Sequence, residues 1–427
     1  MIEDMIHIQY VKKDIAVDIK KENLLGVFEP NAVDEPSDIS EAIRNALFAP
    51  YGGPDFNGFL EGAKTVLLVI NDATRPTPSG TIIATLLPLL ERYGITEKSG
   101  LGILIATGAH RGATDEEFGQ LFGSLAARLK NCCISHDSQD VDELVNLGVT
   151  RNGTPIILNK RLFLFDRIII IGSVEPHYFA GFTGGRKAFL PGVAGYETIV
   201  ANHRLALSEK AQSLALEGNP VHEDMMDALR HISAPVFSIM SVLDKEQGIA
   251  AVTAGDITDS FHAAVDVAKK VFCVKIPRKA DIVISVAKFP MDINLYQSQK
   301  AIDNGAHAVK DGGILILVSA CREGIGGKTF ADLLARSSSP EDALERISRE
   351  YKLGYHKAAK MAAIMQRMTV FAVTNLDAGL QESLFLTPVG TVQEAITKAI
   401  GVMHDKGIDT PQVIVFPDGC VTIPVEE

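Results

Sequence analysis

Short unbroken apolar runs alternate along the chain with longer stretches of helical periodicity. Thr65–Ile70, Leu101–Ala106 and Arg167–Ile171 are such runs, and each ends in a polar or glycine-rich segment. A strand that is apolar at every position is buried on both faces, and the alternation with helices requires crossovers. The pattern therefore predicts an α/β fold with a mostly parallel sheet flanked by helices. Ahead of this series, Ile6–Tyr10 and Ile15–Ile19 flank the polar turn Val11–Asp14, which reads as a hairpin. Ser37 is placed to cap a helix running to Ala49.

A second β/α series starts near Asp281. Its strands are expected at Asp281–Ala287, Gly313–Ser319 and Thr369–Val373, with helices at Tyr296–Asn304, Ser339–Glu350 and Gly354–Met368. Val274–Lys279, containing Pro277, reads as a linker, and Gln412–Phe416 as a last strand that can return to either half. A length of 427 residues exceeds what one core usually serves. Two domains are expected: residues 1–273, with the tail 405–427 free to rejoin them, and residues 280–404. The active site is expected in the interdomain cleft.

Composition narrows the class. Apolar residues at 46% and charged residues at 22% are ordinary for a globular protein. A net charge of −12 argues against a nucleic-acid surface, although local Arg and Lys can still hold a small anion. Five scattered cysteines without framework spacing fit a reducing compartment. The N-terminus has no apolar leader core and no run is long enough to span a bilayer, so a cytoplasmic protein without membrane partners is expected.

The polar segments that follow the first strands carry the candidate chemistry, because open α/β sheets bind ligands at the carboxyl ends of their strands. In Ser173–Lys187, Gly181, Gly184 and Gly185 permit tight turns and close approach of backbone N–H groups to an anion. Thr183 adds a hydroxyl and Lys187 a cation or nucleophile. His177 precedes the loop, and His203 follows it on a helix expected to start near Tyr196. Neither GxxxxGK[ST] nor GxGxxG is present. In Asn71–Ser79, Arg75 suits a carboxylate and Asp72 can accept from ribose hydroxyls, though a plain capping turn also fits. In Thr107–Thr114, Gly108 turns the chain and His110 is expected to point into the cleft, where the segment alone fits a catalyst and a solvated loop histidine equally well.

Other histidines read as structural. Ser135-His136-Asp137 is better explained by Asp137 orienting a structural His136, and His222 falls in a helix start with acidic first-turn residues. In the second series, Tyr296 and Lys300 are four apart on one helical face with Gln297 beside them. An ordinary solvated face explains that spacing as well as an anion clamp does.

The ordered set resembles the nickel-pincer lactate racemase family. It comprises Asp-x-Thr-Arg-Pro-x-Pro at Asp72–Pro78, Thr-Gly-x-His-Arg at Thr107–Arg111, Pro-His-x-x-Ala-Gly-Phe-x-Gly-Gly-x-Lys at Pro176–Lys187, His203, and Tyr-Gln-x-x-Lys at Tyr296–Lys300. The resemblance implies a 2-hydroxyacid racemase or epimerase using nickel in a pyridinium-3,5-bisthiocarboxylic acid mononucleotide. It implies that Lys187 anchors this nucleotide, that Asp72, Thr183, Gly184 and Gly185 help to hold it, and that His203 binds nickel. His110 and His177 would alternate as acid and base, and Arg75, Tyr296, Gln297 and Lys300 would position substrate. Cofactor-maturation proteins are implied as partners, and self-association stays open. Ala73 stands where lactate-specific members are expected to carry His, which leaves the particular hydroxyacid open.

Two other classes compete. A non-catalytic carrier of the nickel nucleotide needs no base on each face of a substrate, so His110 and His177 argue against it. A conventional NAD-dependent dehydrogenase lacks its phosphate-binding fingerprint.

Overall fold

The structure is a computed structural model that describes residues 5–427. The chain divides into two compact α/β units, one spanning Ala32–Val271 and the other joining the residues up to Asn31 with Phe272–Glu427.

The Ala32–Val271 unit is built on a six-stranded sheet. Its order is Ile249–Gly255, Val236–Leu243, Arg167–Ser173, Val66–Asn71, Leu101–Ala106 and Cys133–Ser135. Every neighbouring pair is parallel except the Ile249–Gly255 edge. The central strands are buried at nearly every position, as their unbroken apolar sequences require. Ile43, Leu47, Ile82, Leu86, Leu90 and Phe122 pack on the sheet from flanking helices. Local signals set the helix starts: Asp38 caps Ile39–Phe48, and Thr114 with Glu117 forms a capping box on Asp115–Phe122. The first helix is thus capped one residue later than Ser37.

The topology places the candidate site. Val66–Asn71 has Leu101–Ala106 on one side and Arg167–Ser173 on the other. Successive connections leave it in opposite directions, so a crevice opens where the two loops part.

The second unit has an all-parallel six-stranded sheet in the order Thr387–Pro388, Thr369–Val373, Val309–Val318, Ala280–Val286, Val413–Phe416 and Leu24–Val27. This division differs from the sequence expectation at both chain ends. Leu24–Val27 pairs with Val413–Phe416, and Ile8 and Val17 of the Ile6–Tyr10/Lys13–Val17 hairpin join a core with Ile282, Ile284 and Val415. The first 31 residues and the tail therefore both belong to the second unit. The expected linker is also a strand, Cys273–Ile276, paired in parallel with Ile423–Glu426. Alternation reveals that a strand exists, whereas its partner is chosen by contacts distant in sequence.

Among the described residues no helix is long and apolar enough to cross a membrane, and the five cysteines are free thiols.

Candidate functional site

Three loops at the carboxyl ends of adjacent strands converge in the Ala32–Val271 unit. The first follows Val66–Asn71, the second Leu101–Ala106 and the third Arg167–Ser173. Side chains at the strand ends tie them together: Asn71 Nδ2 donates to Thr77 Oγ1 at 2.8 Å, and Thr77 Oγ1 to Ser173 Oγ at 3.1 Å. Gly108 N donates to Gly192 O at 2.9 Å, which docks the second loop on the end of the third.

His110 and Asp72 meet here. His110 Nδ1 lies 2.8 Å from Asp72 Oδ2, while Asp72 Oδ1 accepts from Thr74 Oγ1 at 2.6 Å and from Thr74 N at 3.2 Å. Both carboxylate oxygens are thus engaged, and one of them orients an imidazole. Burial pushes the Asp72 carboxyl up, but the hydrogen bonds from His110 and Thr74 outweigh it and hold the group below the usual carboxylate range. Because Nδ1 faces an anion it carries the proton, which leaves Nε2 as the basic atom. The His110 side chain is 61% exposed, so that atom is reachable.

Arg75 sits beside Glu175 with Nη1 3.4 Å from Oε1. The contact is long and both groups are partly exposed, so the guanidinium keeps donors for another anion. Glu175 was not singled out from sequence, where no spacing links it to Arg75.

Phe179 organises the third loop. Its ring lies 4.5 Å from His177 and 5.2 Å from His203, both edge-to-face, and Lys187 Nζ stands 5.5 Å from the ring centroid. His177 Nδ1 accepts from Ala180 N at 3.3 Å. Desolvation is the main force on Lys187, and the cations Arg75 and Arg186 reinforce it; together they hold the amine's pKa well below its ordinary range. Burial, then Lys187, lowers His203 to about 3, so this imidazole is neutral at physiological pH. His203 lies on the Tyr196–Arg204 helix, starting where the sequence placed it.

The Gly-Gly turn serves packing and backbone geometry. Gly184 has φ +81°, and a Cβ there would lie 2.6 Å from Val174 Cγ2; Gly185 has φ +52° and its N–H points to Met240 Sδ at 3.2 Å. Thr183 Oγ1 donates to Ser173 O and accepts from Glu175 N, both at 2.9 Å. Its hydroxyl is therefore used inside the protein, tying the start of the loop to its turn. Arg186, fully buried, donates to Ala180 O, Gly184 O and His222 Nδ1, and stacks 4.4 Å from Phe261. Its guanidinium pins the carbonyls of the turn that delivers Lys187. An Arg beside the expected lysine gave no sequence signal for this.

The second unit carries the remaining candidates. Tyr296, Gln297 and Lys300 lie on the Leu295–Gly305 helix, each half-buried, with Asn294 capping the helix through Gln297 N at 3.0 Å. His136 is structural, as expected. Its partners, however, are Ala194 O at 2.9 Å and Asn159 Nδ2 at 3.1 Å, not Asp137. A groove of about 670 Å³ in the Ala32–Val271 unit runs along the Ser79–Glu91 helix past Arg44 and Arg92 and is lined by none of the histidines.

Comparison with known proteins accords with this arrangement. Residues 10–215 match the lactate racemase N-terminal domain and residues 276–424 the lactate racemase C-terminal domain. The chain is 30% identical to lactate racemase of Thermoanaerobacterium thermosaccharolyticum, covering 98% of both chains. It is 31% identical to lactate racemase of Lactiplantibacillus plantarum, covering 97% of this chain and 98% of the relative. The lactate racemase apoprotein structure from T. thermosaccharolyticum superposes with a TM-score of 0.90 at 29% identity, over 99% of this chain and all of that one. A Thermotoga maritima protein at 18% identity shares the fold with a TM-score of 0.69, over 93% of this chain and all of that one. The chain is an isomerase of the racemase class. It belongs to the lactate racemase family.

Proposed function

We propose that the protein inverts the C2 centre of a 2-hydroxyacid, lactate or a near relative, using two histidines and a nickel-bearing pyridinium nucleotide. The observation that supports this reading best is a carboxylate-backed His110 and a Phe179-centred group of His177, Lys187 and His203 on loops that the Gly108–Gly192 and Arg75–Glu175 contacts tie together.

The donor set fits such a cofactor. Among the described residues no cluster of three or more His, Cys, Asp or Glu forms a metal cage. A metal at this site has to arrive with most of its ligands, as the sulfur atoms of a pincer nucleotide would provide. His203 supplies one neutral imidazole, the protonation state a metal requires. Lys187 supplies a desolvated amine whose depressed pKa leaves it nucleophilic, suited to an amide-type linkage. When bound, the group would serve as hydride acceptor and donor.

The chain's own residues handle charge and protons. Removing the α-hydrogen of a hydroxycarboxylate as a proton would build a second negative charge beside the carboxylate, and leaving as hydride avoids it. His110 Nε2 takes the hydroxyl proton, and the resulting imidazolium keeps its Nδ1–H on Asp72, which stabilises the positive charge. On the opposite face of the 2-keto acid, His177 returns a proton to the oxygen. Arg75 holds the substrate carboxylate in a fork, and Tyr296, Gln297 and Lys300 orient the rest. A chiral assay of the cofactor-loaded protein over hydroxyacids of varied size tests the reading. Racemisation of none of them would refute it.

A further inference from the structure

Behind the Tyr296–Lys300 face lies a buried lysine that the proposed reaction does not use. Lys357 is 5% exposed and is the third residue of the Tyr355–Arg367 helix. That position is doubly unfavourable for a cation, since burial removes its hydration and the helix N-terminus is itself positive. No side chain caps this helix, whose preceding residue is Gly354. A lysine placed here has a use elsewhere.

Its contacts identify the use. Lys357 Nζ donates to Tyr296 O at 2.9 Å and stands 3.9 Å from the centroid of the Tyr296 ring. One ammonium thus grips both the backbone and the ring of a single residue, the second contact being a cation–π interaction. Gln299 Nε2 donates to Lys357 O at 2.9 Å, fixing the lysine's own backbone to the same helix. The tyrosine is enclosed further: Phe330 lies 5.7 Å away, and a Cβ on Gly327 would come within 2.4 Å of Tyr296 Cδ2. Asp303, one turn beyond Gln299, is also buried; burial raises its carboxyl, and Lys357 and Lys360 are the charges that draw it back.

We propose that Lys357 is a positioning residue that locks the Tyr296 ring in the orientation that receives substrate. The inference rests on the reading of Tyr296 as a substrate-positioning residue.

The experiment separates the two. In cofactor-loaded enzyme, Tyr296→Leu should raise KM for the hydroxyacid by about tenfold or more, and Lys357→Met should raise KM by a similar factor while kcat falls far less. Lys357→Arg should restore KM, and Tyr296→Leu/Lys357→Met should match Tyr296→Leu, because Lys357 acts through the ring. Independently of turnover, a 3-fluorotyrosine at position 296 should show a shifted or broadened 19F resonance in Lys357→Met and a native-like one in Lys357→Arg. A Lys357→Met enzyme with lowered thermal midpoint but unchanged KM and 19F line would overturn the proposal. If Tyr296→Leu leaves KM unchanged, the substrate reading of Tyr296 fails, and the 19F line alone decides whether Lys357 holds the ring. Should Lys357→Met not fold, Lys357→Gln takes its place under the same criteria.

Discussion

The two units bury their charged groups with different balances. In Ala32–Val271, basic groups are enclosed without matching carboxylates, and the surroundings hold them neutral or poorly charged: burial lowers His203 and His222 to about 3 and Lys187 well below its usual value. The second unit lowers a buried histidine too, His307 to about 4, but it also encloses a carboxylate, Asp303, which burial raises to about 7 while Lys357 and Lys360 draw it back. Neutral nitrogens are nucleophiles, bases and metal ligands, whereas a braced cation is a handle. Under the proposed function, this difference suits the first unit to bond-making and the second to grip.

The largest expected effect falls on the first unit. Lys187→Ala should abolish retention of the nickel nucleotide, measured as nickel and sulfur content after purification from a host that makes the cofactor, and activity should vanish with it. His110→Gln and His177→Gln should each lower kcat by about 10²–10⁴-fold while nickel content stays at the parent level. Loss of nickel in either variant would move that histidine from the proton pathway to the metal. Arg75→Lys should be milder, raising KM by about tenfold through loss of the planar fork, with kcat little changed.

The contrast also predicts an order of acid unfolding. Histidines lowered in the folded state take up protons readily once the chain opens; among the described residues three of them, His136, His203 and His222, lie in Ala32–Val271 and one, His307, in the second unit. The stability tied to their neutral form is present above the unfolded value, roughly 6.5, and is lost as pH falls below it toward the folded values. Asp303 acts with the opposite sign, since a carboxyl raised by burial binds its proton more tightly in the folded state, so falling pH favours folding there. Hydrogen exchange stepped from pH 7 to pH 4.5 should therefore show protection lost first in Ala32–Val271. Earlier loss in the second unit would contradict the electrostatic contrast. The smallest effect is purely structural: Gly184→Ala should cost about 2 kcal/mol, because its positive φ and the close Val174 methyl both oppose a side chain.

Much of this was legible in the chain itself, for reasons that are local. Apolar runs such as Leu101–Ala106 and Thr369–Val373 match the described strands residue for residue, because burial on both faces leaves almost no polar position beyond the exposed Thr369. Candidate residues stood out because they follow those strands at once, and the parallel sheet then gathers them at one end. Other features depend on pairings between residues far apart in sequence. The sequence reading put the Ile6–Tyr10 hairpin with the first unit and named no strand at Leu24–Val27, and only their packing on Ile282 and Val413–Phe416 assigned them to the second. Asp72 shows the same limit at the site. Its place in the loop announced a hydrogen-bonding carboxylate, but the fold alone brought His110, 38 positions later, to within 2.8 Å and made that carboxylate the partner of a base. Composition and spacing thus determined which chemistry the chain carries, and tertiary structure decided which groups share it, since hydrogen bonds and desolvation act through space.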